Sequence, residues 1–376
     1  MPKRILYCHP GAELYGSDRM AAVTIQGLRG AGHTVTVVLP NHGPLVDHLT
    51  TGDTDLIVQN VPVLRKEYLS PRGMLSLILN SIVALGRAMQ TIRDTGAEIV
   101  YVNTLTQPLW IIAAKVTRRP IVCHVRELEQ GRSRLLRSIL VRPLQLVNGI
   151  VCNSRATKDF VMQNANIPAS VVDVVYNGKD WAEYFSHTPA PFRTPVRILL
   201  VGRISPRKGQ DIAIRAIDRL SRAGVKVSLT FAGDVFDGYD WYKDELIKLE
   251  EQLGVDESCN YLGFVENTKQ LLADADIVIV PSRQEPFGTV AAEAMAAMRP
   301  TIVSDVEGLA EIVVNGVTGL TVPPGDDEAL ASAISTLICN PLQAADLAVS
   351  GFKYVNAKFS TDRYNAGIQD AVLRVC

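Results

Sequence analysis

The sequence predicts an α/β protein made of two doubly wound lobes. Short apolar runs rich in Val and Ile alternate with longer stretches of helical periodicity along the whole chain, which is typical of parallel sheets with crossover helices. At 376 residues the chain exceeds one comfortable core, which favours two domains. A proline-rich polar segment at residues 187–195 predicts a linker. The alternation of strands and helices begins again after it, and the sequence RILL at 197–200 is similar to RILY at 4–7.

The composition is that of a folded protein in a reducing compartment. The chain is 47% hydrophobic and 20% charged, and its six cysteines form no C-x-x-C pair. No apolar run reaches the ~18 residues of a membrane span, and the run at residues 5–8 is too short for a signal peptide. We therefore expect a cytoplasmic protein, at most peripheral on the inner face of the cell membrane.

Charge is divided unevenly between the two halves. Residues 1–190 hold 20 Lys and Arg against 14 Asp and Glu, whereas residues 191–376 hold 18 against 25. This asymmetry suggests that the first half meets an anionic partner, such as phospholipid headgroups or a lipid-linked pyrophosphate acceptor.

The first half predicts one parallel sheet. Its strands are expected at residues 4–8, 34–39, 55–58, 99–103, 121–125, 149–153 and 171–176. Its helices are expected at residues 18–29, 72–95, 108–117, 132–146 and 154–164. Each strand is a short apolar run and each helix a longer segment with apolar residues at helical spacing, so the sheet is predicted to be covered on both faces.

The turn after the first strand contains Gly11 and Gly16, and Ser17 or Asp18 is expected to cap the helix that follows. It lacks G-x-G-x-x-G, so a bound dinucleotide is not expected. Two interpretations stay open: a flexible lip over a cleft between the lobes, or glycines that only permit a tight turn.

The second half repeats the pattern. Strands are expected at residues 196–201, 226–231, 259–262, 277–280, 301–304 and 320–322. Helices are expected at residues 210–222, 240–253, 268–273, 289–298, 326–338, 342–358 and 361–375. The predicted result is a second Rossmann-like lobe.

Two loops of the second half carry the chemistry. GRISPRKG places Gly202, Arg203 and Lys208 between a buried strand and a helix start, and their fixed positive charge suits a diphosphate without a metal. Arg207 is expected to face solvent. Such a loop is predicted to bind the phosphates of a ligand.

The second loop, PSRQEPFGTVAAE, also joins a buried strand to a helix. Thr289 is the expected N-cap, and the backbone amides of Gly288, Thr289 and Val290 are free to bind an anion. Glu285 in the loop and Glu293 in the helix are expected to face one crevice.

Together the motifs G-R-x4-K-G and E-P-F-G-x4-E resemble those of the retaining GT-B glycosyltransferases of family 4. The resemblance implies an acceptor-side Rossmann-like domain at residues 1–188, a nucleotide-sugar domain at 195–358, and a final helix at 359–376 that crosses back to the first lobe. It also implies a nucleotide-diphosphate sugar donor, retention of configuration and no metal cofactor.

The resemblance assigns roles to individual residues. The donor-binding set is Gly202, Arg203, Lys208, Phe264, Val265, Glu285, Phe287, Gly288, Thr289, Val290 and Glu293. The catalytic set is His124, Arg203, Lys208 and Glu285. In this scheme His124 and Glu285 meet the donor sugar, Glu293 takes the ribose hydroxyls, and Arg203 with Lys208 carries the charge of the departing diphosphate. The acceptor proton passes to a donor phosphate oxygen, so no side-chain base is named.

Plainer interpretations exist for several of these residues. A strand-end His124 is also typical of a satisfied structural group, and Glu285 could simply complement a helix N-terminus. Arg126 and Glu127, assigned with Gly11 and Gly16 to the acceptor side of the cleft, could instead form an ion pair with the neighbouring helix.

Metal and membrane signals are weaker. The D-x-D pairs Asp53/Asp55 and Asp274/Asp276 are interpreted as turn residues rather than cation ligands. The basic, apolar segment at residues 126–142 predicts either a surface that docks on an anionic membrane or a basic rim on a buried helix.

The function predicted is a retaining hexosyl- or deoxyhexosyltransferase of lipid-linked or cell-surface polysaccharide biosynthesis. Its expected partners are a nucleotide-diphosphate sugar, a glycan or lipid-linked acceptor and an anionic membrane surface, with no nucleic acid. The alternatives are a nucleotide-sugar epimerase of similar fold, a non-catalytic nucleotide-sugar-binding subunit and, least favoured, a dehydrogenase.

Overall fold

The computed structural model describes residues 1–50, 55–62, 71–129, 133–186, 192–235 and 238–376. These form two compact units, residues 1–179 with 361–376 and residues 180–360. Part of the predicted linker, residues 187–191, lies outside the described residues. Each unit is a parallel sheet with helices packed on it, so the predicted α/β class is confirmed.

The first unit holds a seven-stranded sheet in the order β3-β2-β1-β4-β5-β6-β7, and the second a six-stranded sheet in the order β10-β9-β8-β11-β12-β13. The strands are β1 (Arg4–Cys8), β2 (Thr34–Leu39), β3 (Asp55–Val58), β4 (Ile99–Val102), β5 (Ile121–Val125), β6 (Gly149–Cys152), β7 (Val172–Val174), β8 (Val196–Val201), β9 (Val227–Ala232), β10 (Cys259–Tyr261), β11 (Ile277–Val280), β12 (Thr301–Ser304) and β13 (Leu320–Val322). In both sheets the chain reverses its direction of winding beside the first strand, and ligands of open α/β sheets bind at such a point.

Fourteen helices are assigned within the described residues. They are α1 (Gly16–Gly30), α2 (Pro44–Thr50), α3 (Pro71–Asp94), α4 (Pro108–Val116), α5 (Arg134–Val141), α6 (Arg155–Asn164), α7 (Gln210–Arg222), α8 (Asp240–Leu253), α9 (Lys269–Asp274), α10 (Thr289–Ala296), α11 (Glu307–Ile312), α12 (Asp327–Cys339), α13 (Pro341–Lys358) and α14 (Thr361–Arg374). The sequence prediction lacks the two short helices α2 and α11, which have seven and six residues.

The sheet of the first unit is buried on both faces. Along β1, Ile5 and Tyr7 join one core while Leu6 and Cys8 join the other, as expected when side chains alternate across a strand. Helix α14 supplies part of the first of these cores with Tyr364. The end of the chain is therefore built into the fold of residues 1–179.

The second unit begins before the predicted linker. A 3-10 helix, Trp181–Tyr184, packs within this unit, and the indole Nε1 of Trp181 donates to the Phe359 carbonyl at 2.6 Å. That bond fixes the segment that enters the second unit to the segment that leaves it.

Three local predictions are wrong. Helix α1 has its N-cap at Tyr15, not at Ser17 or Asp18 as predicted. Asp18 is the third helical residue, and its carboxylate accepts the Tyr15 N–H at 3.0 Å, as in a capping box. Helix α10 is capped by Gly288 in the left-handed region, so Thr289 is its first residue. The segment predicted as a helix at 132–146 ends its α-helix at Val141, where Pro143 follows and a 3-10 turn begins.

Candidate active site

Two loops of the second unit leave neighbouring strands at the same sheet edge. Strands β8 and β11 are parallel neighbours, with Ile198 opposite Ile277 and Leu199 opposite Val278. The loops that follow them, residues 202–209 and 281–288, therefore emerge side by side at the point where the winding reverses. These are the two loops that the sequence marks.

Glycines allow the two loops to touch. Gly209 has φ +71°, and a Cβ there would lie 2.0 Å from the Pro281 carbonyl oxygen. Gly202 has φ +155°, and the aliphatic stem of Lys208 passes over it, 3.4 Å from where a Cβ would stand. Only glycine fits the first position, so the first loop lies directly against the start of the second.

An ion pair joins the loops above this backbone contact. Lys208 Nζ lies 2.6 Å from Glu285 Oε2, with both side chains half-buried. Ser282 Oγ also donates to that oxygen at 3.5 Å. Arg203 is half-buried in the same loop and Arg207 is exposed, as predicted for Arg207. The structure thus brings together Lys208 and Glu285, which are 77 residues apart in the chain.

The start of α10 supplies donors beside this ion pair. Gly288 has φ +102°, and a Cβ there would meet the Leu309 side chain at 2.4 Å. The first helical bond runs from the Ala291 N–H to the Gly288 carbonyl at 3.0 Å. The amides of Gly288, Thr289 and Val290 precede that bond, which is the arrangement that binds anions at helix N-termini.

Glu307, which the sequence analysis does not single out, completes the support of this loop. Its carboxylate Oε2 accepts the Glu285 N–H at 2.6 Å, and the Gly308 N–H donates to the Glu285 carbonyl at 3.0 Å. Its backbone lies at φ +43°, a region that costs a non-glycine residue free energy. Burial raises the pKa of its carboxyl. No spacing rule signals such a contact, because it joins two loops through one backbone amide.

Glu293 is buried rather than exposed. Its Oε1 accepts a hydrogen bond from Tyr184 Oη at 3.1 Å. Phe287, in the preceding loop, is also buried and packs edge-to-face on Phe359 with ring centroids 5.7 Å apart. Glu293 is therefore oriented by a hydroxyl that the sequence analysis does not identify.

The loop that contains Phe264 and Val265, two residues of the predicted donor-binding set, follows β10. The Gly233 N–H donates to the Gly263 carbonyl at 2.8 Å, and Gly263 has φ +68°. A Cβ on Gly233 would lie 2.1 Å from the Gly202 carbonyl oxygen, so the loops of Gly263 and Gly202 flank the same turn. Phe264 is exposed and Val265 is half-buried.

The first unit carries a row of buried polar residues at its own strand ends. Arg126 is its centre: Nε donates to Asn103 Oδ1 at 2.9 Å, Nη1 to Asn177 Oδ1 at 2.7 Å and Nη2 to Tyr364 Oη at 2.8 Å. The partner of Arg126 on a helix is the neutral hydroxyl of Tyr364 on α14, so this bond is not the ion pair with the neighbouring helix that the sequence analysis gave as the alternative. No pattern in the sequence predicts these three partners.

His124 lies fully inside the first unit, with 0% of its surface exposed. Its Nδ1 lies 2.8 Å from Tyr101 Oη and accepts from Arg126 Nη2 at 3.3 Å. A guanidinium can only donate, so the proton of the neutral ring is on Nε2, and this atom has no partner among the described residues. Burial, assisted by the charge of Arg126, lowers the pKa of His124 well below its usual value.

The first loop of this unit is also held by buried groups. His9 bridges Asp18 Oδ1 at 2.8 Å and Asn103 Nδ2 at 2.9 Å. A Cβ on Gly11 would lie 3.1 Å from the same Asp18 oxygen, whereas one on Gly16 would meet nothing within 4 Å. His9 is a further residue that the sequence analysis misses.

Glu127 is half-buried beside this row. It accepts hydrogen bonds from the Thr104 hydroxyl, from the Arg126 N–H at 3.0 Å and from the Leu105 N–H at 3.3 Å. Burial raises the pKa of its carboxyl. Within the part of the chain that the structure describes, these bonds come from loop backbone and a threonine and none comes from a helix.

Of the described aspartates in the two D-x-D pairs, only Asp276 lies in a turn, just before β11, as predicted; Asp274 is the last residue of α9 and Asp55 is the first residue of β3. Asp276 is buried and accepts the Arg197 N–H at 2.9 Å, with its other oxygen 3.3 Å from the Arg197 guanidinium. Asp274 accepts from Gln270 Nε2 at 2.9 Å. Asp53 of the other pair lies outside the described residues.

Two family models match the chain. "Glycosyltransferase Family 4" matches residues 15–182 and "Glycosyl transferases group 1" matches residues 187–353. Each match coincides with most of one sheet and its helices, and the second includes both motif loops.

Individual relatives give the same class. A glycogen synthase of Mycobacterium tuberculosis is 28% identical over 89% of this chain and 85% of its own length. The lipopolysaccharide core biosynthesis mannosyltransferase LpcC of Rhizobium leguminosarum bv. viciae is 28% identical over 69% of this chain and 79% of its own. The structure of HepE from Anabaena, in complex with UDP and glucose, superposes with a TM-score of 0.84 at 24% identity, covering 99% of both chains.

The sheets, their helices and this structural likeness define the GT-B fold. With the two family models and the named relatives, the protein is a glycosyltransferase of that fold.

Proposed function

We propose that the protein is a retaining hexosyl- or deoxyhexosyltransferase of family 4 that uses a nucleotide-diphosphate sugar in lipid-linked or cell-surface glycan assembly. The observation that carries this proposal is the contact of Lys208 with Glu285 beside the amides that open α10. One lysine, one carboxylate and a helix N-terminus there offer separate groups for a diphosphate and for sugar hydroxyls.

In the proposed reaction Lys208, Arg203 and the amides after Gly288 stabilise charge on the departing diphosphate. Glu285 binds ring hydroxyls of the donor sugar, and Glu293 binds the ribose. The acceptor hydroxyl attacks from the face that the diphosphate leaves and gives its proton to a phosphate oxygen. His124 remains a predicted contact of the donor sugar, supported by its unpaired Nε2.

Uridine is the first nucleoside to test. The Anabaena relative in solved structures binds UDP and UDP-glucose. We propose metal-independent donor binding, since the positive charges of Lys208 and Arg203 can compensate the negative charge of the phosphates. The buried Asp276 already pairs with Arg197 and is supported as a structural residue.

We propose that the acceptor side docks on an anionic membrane through α5. This helix exposes Leu135 and Ile139 beside Arg134, and such a mixture suits a lipid interface. Among the described residues no helix is long and apolar enough to cross a bilayer. Sedimentation with phosphatidylglycerol vesicles, compared between wild type and Leu135→Ser/Ile139→Ser, tests this surface.

The deciding experiment is calorimetric titration of UDP, GDP, TDP and ADP in chelator, on wild type and on Arg203→Ala/Lys208→Ala. Binding of one diphosphate that is lost in the double variant supports the donor site. Equal binding by both proteins contradicts it.

Turnover then separates the enzyme classes. Sugar transfer with retained configuration, seen by NMR of the product, supports the proposal. Isomerisation of the nucleotide sugar without acceptor indicates an epimerase, and binding without any turnover indicates a non-catalytic subunit.

A further inference from the structure

One arginine ties the two donor loops together at a point away from the Lys208–Glu285 pair. Arg283 stands two residues before Glu285. Its guanidinium Nη1 donates to the Pro206 carbonyl at 2.8 Å and to Asp211 Oδ1 at 2.8 Å, and Nη2 donates to Asp211 Oδ2 at 2.6 Å. Its backbone N–H donates to the Arg207 carbonyl at 2.8 Å. Two of these bonds reach the backbone of the loop at residues 202–209, and the other two reach Asp211 at the start of α7.

The partners of Arg283 bracket Lys208. Pro206 and Arg207 immediately precede it, and Asp211 follows it in the first turn of α7. Asp211 is itself held by Tyr242, whose Oη donates to Oδ1 at 2.7 Å. Burial opposes ionisation of Asp211, but the hydrogen bonds from Arg283 and Tyr242 outweigh it and lower the pKa of this carboxyl.

We propose that Arg283 is a positioning residue that holds the loop of Lys208 in register with the loop of Glu285. This inference rests on the proposed function, in which those two side chains meet the diphosphate and the sugar. Arg283 itself reaches neither through the bonds described, so its effect on the reaction is indirect. Without the hydrogen bonds of Arg283, the side chains of Lys208 and Glu285 are still present, but the distance between them is no longer fixed.

The geometry calls for arginine in particular. Two parallel N–H donors match the two oxygens of Asp211, and one of them also reaches a carbonyl, which a lysine ammonium cannot do in one plane. Exposed ion pairs of ordinary geometry contribute little to stability. The chain provides one for comparison: Arg219 pairs with Asp327 through Nε at 46% and 23% exposure, close to the 41% and 24% of Arg283 and Asp211.

The direct test is hydrogen exchange of the full chain, comparing wild type with Arg283→Ala, Arg283→Lys and the matched control Arg219→Ala. We expect amides of residues 203–209 to exchange about tenfold faster in both Arg283 variants and at the wild-type rate in the control. Unchanged exchange in the Arg283 variants, or an equal rise in Arg219→Ala, overturns the proposal. Should Arg283→Ala not fold, Asp211→Asn tests the same contact.

Kinetics then show whether the register matters for the reaction. With UDP as the binding probe and UDP-glucose as donor, we expect kcat/KM of Arg283→Ala to fall about tenfold to a hundredfold, since misplacement by about 1 Å has effects of that size. Arg219→Ala should match wild type in kcat, KM and melting temperature. Faster exchange with wild-type kcat and KM would refute the positioning role.

The two proposals fail in different ways. If the wild-type protein binds no nucleotide diphosphate and turns over no nucleotide sugar, the proposed function fails. Faster exchange of residues 203–209 in the Arg283 variants then still establishes that Arg283 holds the loop.

Discussion

The carboxyl edges of the two sheets treat polar groups in opposite ways. In the first unit Arg126 is buried and its guanidinium donates to Asn103, Asn177 and Tyr364. In the second unit Lys208 and Glu285 are only half-buried, and the amides that open α10 precede the first helical bond.

The comparison shows how one architecture yields two kinds of edge. Polar groups bonded to one another inside a protein fix the structure around them, and removing one leaves the others unsatisfied. Charges left partly in solvent can exchange water for a ligand. We therefore expect substitutions at the first edge to act on stability and those at the second to act on donor binding.

The largest expected effect is on stability, at Arg126. Arg126→Ala removes the shared partner of two asparagines and a buried tyrosine hydroxyl, so we expect the free energy of unfolding to fall by about 3 kcal/mol or more. Urea denaturation followed by circular dichroism measures this. The control is Arg374→Ala, which breaks the exposed pair with Asp173 in the same unit and should change little. An equal fall in the free energy of unfolding in both variants would contradict the expected difference between the buried Arg126 and the exposed Arg374.

The second effect is on binding, at Lys208. In the proposed donor site Lys208 donates one charged hydrogen bond to a phosphate, so we expect Lys208→Ala to raise the Kd for UDP about tenfold to a hundredfold. Its melting temperature should stay near that of wild type. Arg207→Ala, at the exposed neighbouring position, serves as the control in the same titration and should bind UDP normally. A Lys208→Ala protein that binds UDP as tightly as wild type would contradict the assignment of Lys208 as a phosphate-binding residue.

A third prediction concerns pH and His124. Its pKa is lowered in the folded protein, whereas the unfolded chain titrates near about 6.5. Below that pH the unfolded state binds a proton that the native state rejects, so stability falls on acidification, by at most about 1.4 kcal/mol per pH unit for this group.

The measurement is urea denaturation at pH 5.5, 6.5 and 7.5 on wild type and His124→Asn, whose amide oxygen can replace Nδ1 as acceptor. The raised pKa of Glu127 acts in the opposite direction, and the comparison of the two proteins cancels it. An identical slope in both proteins would show that His124 does not contribute.

The smallest expected effect is at Tyr184. Tyr184→Phe removes the hydroxyl that donates to Glu293. If Glu293 binds the ribose, loss of one hydrogen bond, worth about 1 kcal/mol, should weaken UDP binding about fivefold. Calorimetry of the variant beside Tyr354→Phe, a tyrosine that bonds Lys358 in the same unit, tells whether the change is specific. Equal weakening in both would point to a general effect on the unit.

Regular elements were predictable from the sequence because they depend on local pattern. Strands such as β8 (Val196–Val201) and β11 (Ile277–Val280) match the prediction residue for residue, since a short, mostly apolar run bounded by proline, glycine or aspartate is typical of a buried parallel strand. The motif loops were predictable too, because glycine and charge mark strand-to-helix turns.

The contacts that organise the site were not predictable in the same way. Arg126 bonds Tyr364 across 238 residues of chain, and Glu307 reaches one backbone amide 22 residues away. Such partners are chosen by how elements pack, and no single segment contains that information. Thr289 was predicted as the cap of α10 from its residue type, but the close approach of Leu309 requires glycine one position earlier.

The place of α14 in the first unit has a consequence for synthesis of the chain. Tyr364, Ile368 and Val372 belong to the core that also contains Ile5 and Tyr7. On a ribosome residues 1–179 therefore cannot complete this core until residues 361–376 are made, although domains generally fold in the order of their synthesis. Residues 180–360 are synthesised completely while that core still lacks the side chains of α14. Slow or stalled translation before residue 361 would leave the first sheet exposed to chaperones and proteases.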